Sequence, residues 1–373
     1  MVEHGGEPLI EALALVAPGT ALRDGIDRIL QAKRGALIVV GDDPVVLSIC
    51  TGGFLLDTEF SPQRLSELAK MDGAIILARD TSRIARANVH LVPRASIPTS
   101  ETGTRHRTAE RVARSIDVPV VTASESMATV TVYRHARKHT LQRTGQLLAR
   151  ATQAVTTVQR FKTRFDFALA SLSTLEVEDA VSVRDVVGVL QPGEMVLRIA
   201  EEIEDYLVEL GQDGRLIRLQ LEELGAGLDQ ALLLVVLDYV VPRGVARSAR
   251  GADGHTDGRT GRDLAAHKAL ETLHALTPEQ LLDQGLVAAA LGLGSAGLDA
   301  GVEARGYRLL HQLPRVSDVI VERIVDRFAT LPRIMQASLG ELEQVGGVGE
   351  AKARSVKHGL ARLAEASILE RYQ

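Results

Sequence analysis

Apolar residues recur along this chain with two different periods, and the change between them divides it. Over the first 145 residues, segments with three- and four-residue spacing alternate with short runs of consecutive apolar residues. Leu22, Ile26, Ile29 and Leu30 share one face of a predicted helix from Thr20 to Gln31, and another helix is predicted over Pro8 to Ala17. Ala36 to Val40 and Val45 to Cys50 read as two short strands joined by the turn Gly41-Asp42-Asp43-Pro44. Ser61 is a good N-cap and Pro62 a good first residue for a helix running to about Lys70. Ala74 to Ala78, Ala87 to Val92, Val118 to Ala123 and Thr129 to Tyr133 are the remaining predicted strands. This alternation predicts an α/β N-terminal domain, a sandwich around a mixed sheet, spanning residues 1–145.

The text then becomes helical. Leu148, Ala151, Val155, Val158, Phe165, Leu169 and Leu172 form one stripe, which predicts a long helix packed on partners. Met195 to Leu210 and Leu216 to Leu224 continue in the same character, and Thr277-Pro278-Glu279-Gln280 is a capping box that opens another helix. Arg243 to Arg262, rich in Gly, Arg and Asp, reads as a loop. Residues 146–304 are therefore expected to form an all-α helical spine, and they carry no chemical motif. Residues 305–373 are again helical, with short turns.

Composition narrows the class. The chain has 373 residues, enough for two or three domains, with 45% hydrophobic and 24% charged residues. Net charge is −5, so any contact with nucleic acid must come from a local basic patch. A single cysteine, Cys50, excludes an internal disulfide and any multi-cysteine zinc site, and fits a reducing cytoplasm. The segment Met1 to Gly6 has no apolar signal core. The longest apolar run, Ala231 to Val241, is broken by Asp238 and too short to span a bilayer. The expectation is a soluble, intracellular protein without a membrane partner.

Two segments carry candidate chemistry. In Met71-Asp72-Gly73-Ala74 a helix hands over to a buried strand. Gly73 can be a plain helix C-cap beside a solvated Asp72. Alternatively, Asp72 supplies a hard oxygen ligand for Mg²⁺ next to a glycine that lets a nucleotide approach the backbone. In Gly103-Thr104-Arg105-His106-Arg107-Thr108 the basic and hydroxyl side chains fall in the loop opening a helix marked by Ala109, Val112, Ala113 and Ile116. Free N–H groups and the macrodipole attract anions there, so the segment suits a polyphosphate. The bland alternative is a solvated loop answering Glu101 and Glu110, but two cations at a helix N-terminus oppose the dipole unless an anion joins them.

Near the C-terminus, Ser338 and Glu341 form a capping box, and Gly346-Gly347-Val348-Gly349 precedes Glu350-Ala351-Lys352. This is a helix-hairpin-helix pattern: the glycines Gly347 and Gly349 bring backbone N–H groups against a phosphate, and Lys352 adds a cation, with Arg354 and Lys357 nearby. A plain αα-hairpin used for packing is the alternative. Upstream, Leu313 to Val325 reads as a second copy in which Arg315 and Ser317 replace the glycines.

An Asp-Gly-Ala motif at a strand start, followed about thirty residues later by Arg-His-Arg before a helix, resembles the diadenylate cyclase family. With the spine and the terminal helix-hairpin-helix in the family's order, the resemblance covers essentially the whole chain. It implies that Asp72 binds the metal, Mg²⁺ or Mn²⁺, and is catalytic. It implies that Gly73, Thr104, Arg105, His106, Arg107 and Thr108 bind ATP, that the Leu91 backbone reads the adenine edge, and that Ser124 lies near the phosphates. Two ATP would be joined into the second messenger cyclic di-AMP by facing protomers of a homo-oligomer, an octamer in this family. The C-terminal module would bind DNA, branched DNA in particular, in response to damage and on the nucleoid. The competing reading is a DNA-binding structural or repair-accessory protein whose nucleotide domain senses ATP without turnover.

Overall fold

The computed structural model describes residues 7–241, 261–294, 297–314 and 316–370. The chain divides into two compact units, Met1–Ala154 with Glu202–Gln220, and Val155–Glu201 with Leu221–Gln373. Met1 to Gly6 and Arg315 lie outside the described residues, as does all of the Arg243 to Arg262 segment except Gly261 and Arg262.

The first unit is built on a mixed sheet. Its strands are β1 (Ala36–Val40), β2 (Cys50–Thr51), β3 (Phe54–Glu59), β4 (Ala74–Leu77), β5 (Arg83–Leu91), β6 (Val120–Ser124), β7 (Thr129–Arg134) and β8 (Arg137–Thr140). The order is β2-β5-β4-β1-β6-β7-β8, with β3 also on β5. Only β1 and β4 run parallel; the other pairs are antiparallel. Helices α1 (Glu7–Leu15), α2 (Ala21–Gln31) and α4 (Pro62–Leu68) cover one face, while α3 (Pro44–Ser48) and α5 (Thr104–Ser115) belong to the other. Strand β1 shows why its sequence is an unbroken apolar run. Ala36, Ile38 and Val40 enter the core under α2, and Leu37 and Val39 enter the core under α5. The observed fold is thus the expected α/β sandwich.

Three local expectations are corrected. Val45 to Cys50 is not a strand: Pro44–Ser48 is helical, and only Cys50 and Thr51 pair with β5. Asp43 occupies the N-cap position and Pro44 the first turn, so helix-starting geometry overrides the β-branched composition. Strands β3 and β8 were not predicted; both are largely exposed and carry no apolar alternation. Arg105, His106, Arg107 and Thr108 do not sit in a loop but form the first turns of α5, whose N-cap is Gly103.

The helical text is borne out with changes. Helix α6 (Thr144–Val177) is the long predicted helix, with Leu147 rather than the 37%-exposed Leu148 facing inward. Helix α7 (Val183–Leu210) begins well before Met195 and runs through Pro192. At its end the Glu209 carboxylate takes His139 Nε2 of β8 at 2.7 Å and the Gln142 N–H, within the first unit. Then follow α8 (Arg215–Gly225), α9 (Leu228–Tyr239), α10 (Gly261–His274), α11 (Pro278–Leu282), α12 (Gln284–Ala290) and α13 (Tyr307–His311). The capping box at Thr277 and Gln280 is present at the start of α11.

Asp238, which broke the apolar run, is 1% exposed. Its carboxylate accepts the backbone N–H groups of Gly306, Tyr307 and Arg308 at 2.7–3.0 Å, capping α13 from a distant element. Arg305 reaches the other way, donating to the Leu237 carbonyl at 2.8 Å and to the Val241 carbonyl. Arg308 pairs with the buried Glu176 at 3.0 Å. The chain ends in α14 (Asp318–Phe328), α15 (Leu331–Gln336), α16 (Leu339–Glu343) and α17 (Glu350–Glu370).

Candidate functional site

A cleft of about 680 Å³ opens at one end of the sheet, where β1 and β4 begin and β5 and β6 end. That volume suits a single nucleotide. Of the residues singled out from sequence, Asp72, Gly73, Leu91, Thr104, Arg105, His106, Thr108 and Ser124 all line it. They come from four separated segments, brought together by the pairing of β1, β4, β5 and β6.

The turn before β4 is held from β5. Gly73 has φ +94°, and a Cβ there would lie 2.9 Å from the Asn88 carbonyl carbon and the Val89 oxygen. Only glycine allows this approach. Asn88 donates its amide to the Asp72 carbonyl at 2.6 Å. The turn thus fixed leaves the Asp72 carboxylate fully in solvent at the cleft mouth, where Arg105 Nη2 lies 3.6 Å from Oδ1.

Helix α5 contributes the opposite wall. Gly103 gives no side-chain cap, so the first N–H groups of the helix keep their capacity for an external acceptor. Arg105 lies across Gly35, where a Cβ would be 2.3 Å from Nη1 and 3.1 Å from the Ala123 carbonyl. Thr108 is one turn beyond Thr104 and shares its side of the helix. Arg107 does not line the cleft and is exposed. Residues two apart on a helix point about 200° apart, so Arg105 and Arg107 cannot serve the same face.

His106 Nδ1 is 2.8 Å from the Tyr133 hydroxyl and 3.2 Å from Thr122 Oγ1. Tyr133 in turn donates to Glu101 at 3.1 Å, and Lys138 donates to the same carboxylate at 2.7 Å. Lys138, aided by Tyr133 and despite burial, holds the Glu101 carboxyl below the usual range. Burial and the Glu101 charge push the Tyr133 phenol well up, so it stays protonated. Ser124 is largely buried, with Oγ 3.4 Å from the Met127 N–H, and Glu125 and Ser126 complete that rim. Gly35, Glu101, Thr122 and Tyr133 had not been identified from sequence. They are scattered over a hundred residues and form no local motif.

Among the described residues no cluster of three or more His, Cys, Asp or Glu side chains could hold a metal. Asp72 fits a cation such as Mg²⁺, which takes one or two carboxylates and completes its shell from substrate phosphates and water.

In the second unit, the capping box joins Ser338 and Glu341, and Gly347 has φ +87°. Lys352 Nζ donates to the Gly347 carbonyl at 3.2 Å, while Arg323 of α14 donates to the Gly346 carbonyl at 2.6 Å. Gly349 has open space where a Cβ would be. Lys357 is not a free cation: it is half-buried and bonds the Met335 and Ala337 carbonyls at 2.7 Å each. Arg354 pairs with Glu350.

Two family models match the chain: "DisA bacterial checkpoint controller nucleotide-binding" over residues 23–138, and "DisA bacterial checkpoint controller linker region" over residues 141–298. The chain is 50% identical to the DNA integrity scanning protein DisA of Acidothermus cellulolyticus, covering 98% of this chain and 96% of that one. It is 50% identical to the protein of the same name from Kineococcus radiotolerans, over 98% of each. The namesake from Streptomyces avermitilis is also 50% identical, over 99% of this chain and 95% of that one. Among solved structures, DacA from Staphylococcus aureus matches 36% of this chain and 86% of its own, at 23% identity and a TM-score of 0.27. A hypothetical membrane spanning protein from Bacillus cereus matches 33% of this chain and 62% of its own, at 22% identity and a TM-score of 0.30.

Proposed function

Because the chain belongs to the DisA family of DNA integrity scanning proteins, we propose that it is a diadenylate cyclase, a nucleotidyltransferase joining two ATP into cyclic di-AMP with release of two diphosphates. The observation that carries this reading is the convergence of Asp72-Gly73 and the first turns of α5 on one nucleotide-sized cleft. The 3′-hydroxyl oxygen of one ATP attacks the α-phosphorus of the other, and diphosphate leaves; the reciprocal step closes the ring.

Arg105, the α5 N-terminus and the hydroxyls of Thr104 and Thr108 take the triphosphate and offset the charge that grows on the leaving diphosphate. Gly73 lets the nucleotide lie against the backbone, the Leu91 backbone receives the adenine edge, and Ser124 faces the phosphates. Asp72 would hold Mg²⁺, or Mn²⁺, which when bound would lower the hydroxyl's pKa and neutralise phosphate charge. His106 binds from the same helix; Arg107, on its other side and outside the cleft, is not placed against this ATP. The candidate motifs meet in a single cleft among the described residues, so we place two protomers face to face, each holding one ATP, in a homo-oligomer, an octamer.

The division into a cyclase domain at 1–145, a spine at 146–304 and a helix-hairpin-helix domain at 305–373 is part of this reading. The family-model matches over 23–138 and 141–298 support its first two parts. Gly347, Gly349 and Lys352 bind the phosphates of DNA without reading bases, with branched DNA preferred, in the cytoplasm on the nucleoid. No helix among the described residues is long and apolar enough to cross a membrane.

Incubation with ATP and Mg²⁺, followed by chromatography, tests the proposal: cyclic di-AMP is the expected product. ATP binding without any cyclic dinucleotide would favour the ATP-sensing alternative.

A further inference from the structure

We propose that Tyr133 and Glu101 are positioning residues of the nucleotide site: with Thr122 they keep a proton on His106 Nδ1, so that the protonated ring donates Nε2–H to a triphosphate oxygen. The inference rests on the nucleotide reading of the cleft and goes beyond it, since these side chains touch no substrate themselves.

The hydrogen-bond directions follow from chemistry. A carboxylate only accepts, so the Tyr133 hydroxyl must donate to Glu101 Oε1 at 3.1 Å. Its single hydrogen is then spent, and toward His106 Nδ1 at 2.8 Å its oxygen can only accept. Thr122 is compatible with the same arrangement: its hydroxyl can donate to the Thr131 carbonyl at 3.4 Å and accept from Nδ1 at 3.2 Å. Tyr133 therefore calls for a hydrogen on Nδ1, and Thr122 accommodates it.

Nε2 has no hydrogen-bond partner among the described residues, and the ring lines the cleft. A phosphate oxygen accepts from Nε2 only when the ring carries both protons. The Glu101 carboxylate takes the Tyr133 hydrogen, so the phenol oxygen stays turned toward Nδ1. Geometry is fixed as tightly as protonation. Tyr133 is 1% exposed, packed under α5 in the same core as Ala109, Val112 and Ala113, and its ring meets the imidazole edge-on at 6.2 Å between centroids. Lys138 holds Glu101 from the solvent side at 2.7 Å, so the chain of contacts has no loose end.

The test reads the imidazole directly. In full-length protein labelled with ¹⁵N-histidine at pH 8.5, with His106 assigned from the spectrum of His106→Gln, the free ring should be the Nδ1–H tautomer. Adding α,β-methylene-ATP should protonate Nε2 as well. Tyr133→Phe, which keeps the apolar ring, should shift the free ring toward Nε2–H and weaken the analogue about 2–10-fold, the loss of one positioning hydrogen bond. A wild-type free ring whose only proton is on Nε2, or a Tyr133→Phe protein with unchanged shifts and affinity, would overturn the inference. The wild-type measurement stands even if the variant does not fold. If wild-type protein makes cyclic di-AMP and fails these tests, the inference falls alone; if it neither binds the analogue nor makes product, the cyclase reading fails as well.

Discussion

Asp72 Oδ1 and Arg105 Nη2 stand 3.6 Å apart across the mouth of the cleft, too far for a hydrogen bond but close enough to neutralise each other. The carboxylate is fully solvated and the guanidinium is half-exposed, so the pair holds no fold together. In the proposed reading a nucleotide–metal complex would separate their duties: phosphate would draw the arginine and leave the carboxylate for the cation.

Asp72→Asn should therefore abolish cyclisation while ATP affinity stays within a few-fold of wild type and the thermal midpoint is unchanged. Product formation, calorimetric titration and thermal melting check the three parts. Near wild-type turnover would remove Asp72 from the metal site.

Arg105→Ala should weaken ATP binding by about 10–150-fold, corresponding to about 1.5–3 kcal/mol for a charge-assisted contact. Arg107→Ala, which lies on the other side of α5, should cost less in the same titration. Equal losses would mean that both guanidiniums reach one triphosphate.

Gly35→Ala is a gentler way to move the same arginine. Gly35 is not held at positive φ, so alanine meets no backbone strain, but its Cβ would stand 2.3 Å from Arg105 Nη1. The expected outcome is a several-fold loss of ATP affinity with at most a small fall in the thermal midpoint, because the Cβ also comes within 3.1 Å of the Ala123 carbonyl. Unchanged affinity would show that Arg105 binds from a position clear of Gly35.

The His139–Glu209 pair gives a pH signature. The hydrogen bond to Glu209 raises the His139 pKa above its usual value, against the opposing effect of burial. A raised histidine stabilises the fold fully below its unfolded pKa of about 6.5 and loses that contribution as pH rises through the folded value. The difference in thermal midpoint between wild type and His139→Gln should be larger at pH 6 than at pH 9. A difference that grows with pH would contradict the assignment.

Gly349→Asp should abolish DNA binding and leave cyclisation intact, read by gel shift on a four-way junction and by product formation. Gly349 has open space around it, so aspartate adds charge without a clash, whereas Gly347 is held at positive φ beside Arg323. A truncation near residue 300 is a poorer test, because it would strip the buried Asp238 and Glu176 of their partners. Wild-type junction binding by Gly349→Asp would make the hairpin a packing element.

The sequence discloses what neighbours along the chain decide. Strands β1, β4, β6 and β7 were legible because both faces of their sheet are buried, and their apolar runs are unbroken. Strand β8, Arg137–Thr140, is mostly exposed and has nothing apolar to announce it. The first half of α7 was hidden by Pro192-Gly193, which reads as a break until packing against Phe165 and Leu232 carries the helix through. In the cleft, Asp72 and Arg105 were readable as short motifs. Tyr133, Glu101 and Gly35 were not, because their meaning is their distance from His106 and Arg105, which only the sheet register fixes.

The junction between α9 and α13 has a mechanical consequence. Asp238 holds the first N–H groups of α13 while Arg305 holds the last carbonyls of α9, so each helix end is clamped by a side chain from the other strand of the joint. Rotation there would break charged contacts on both sides at once, all of them buried. The joint behaves as a splint rather than a swivel, and torque applied to α13 turns α9 with it.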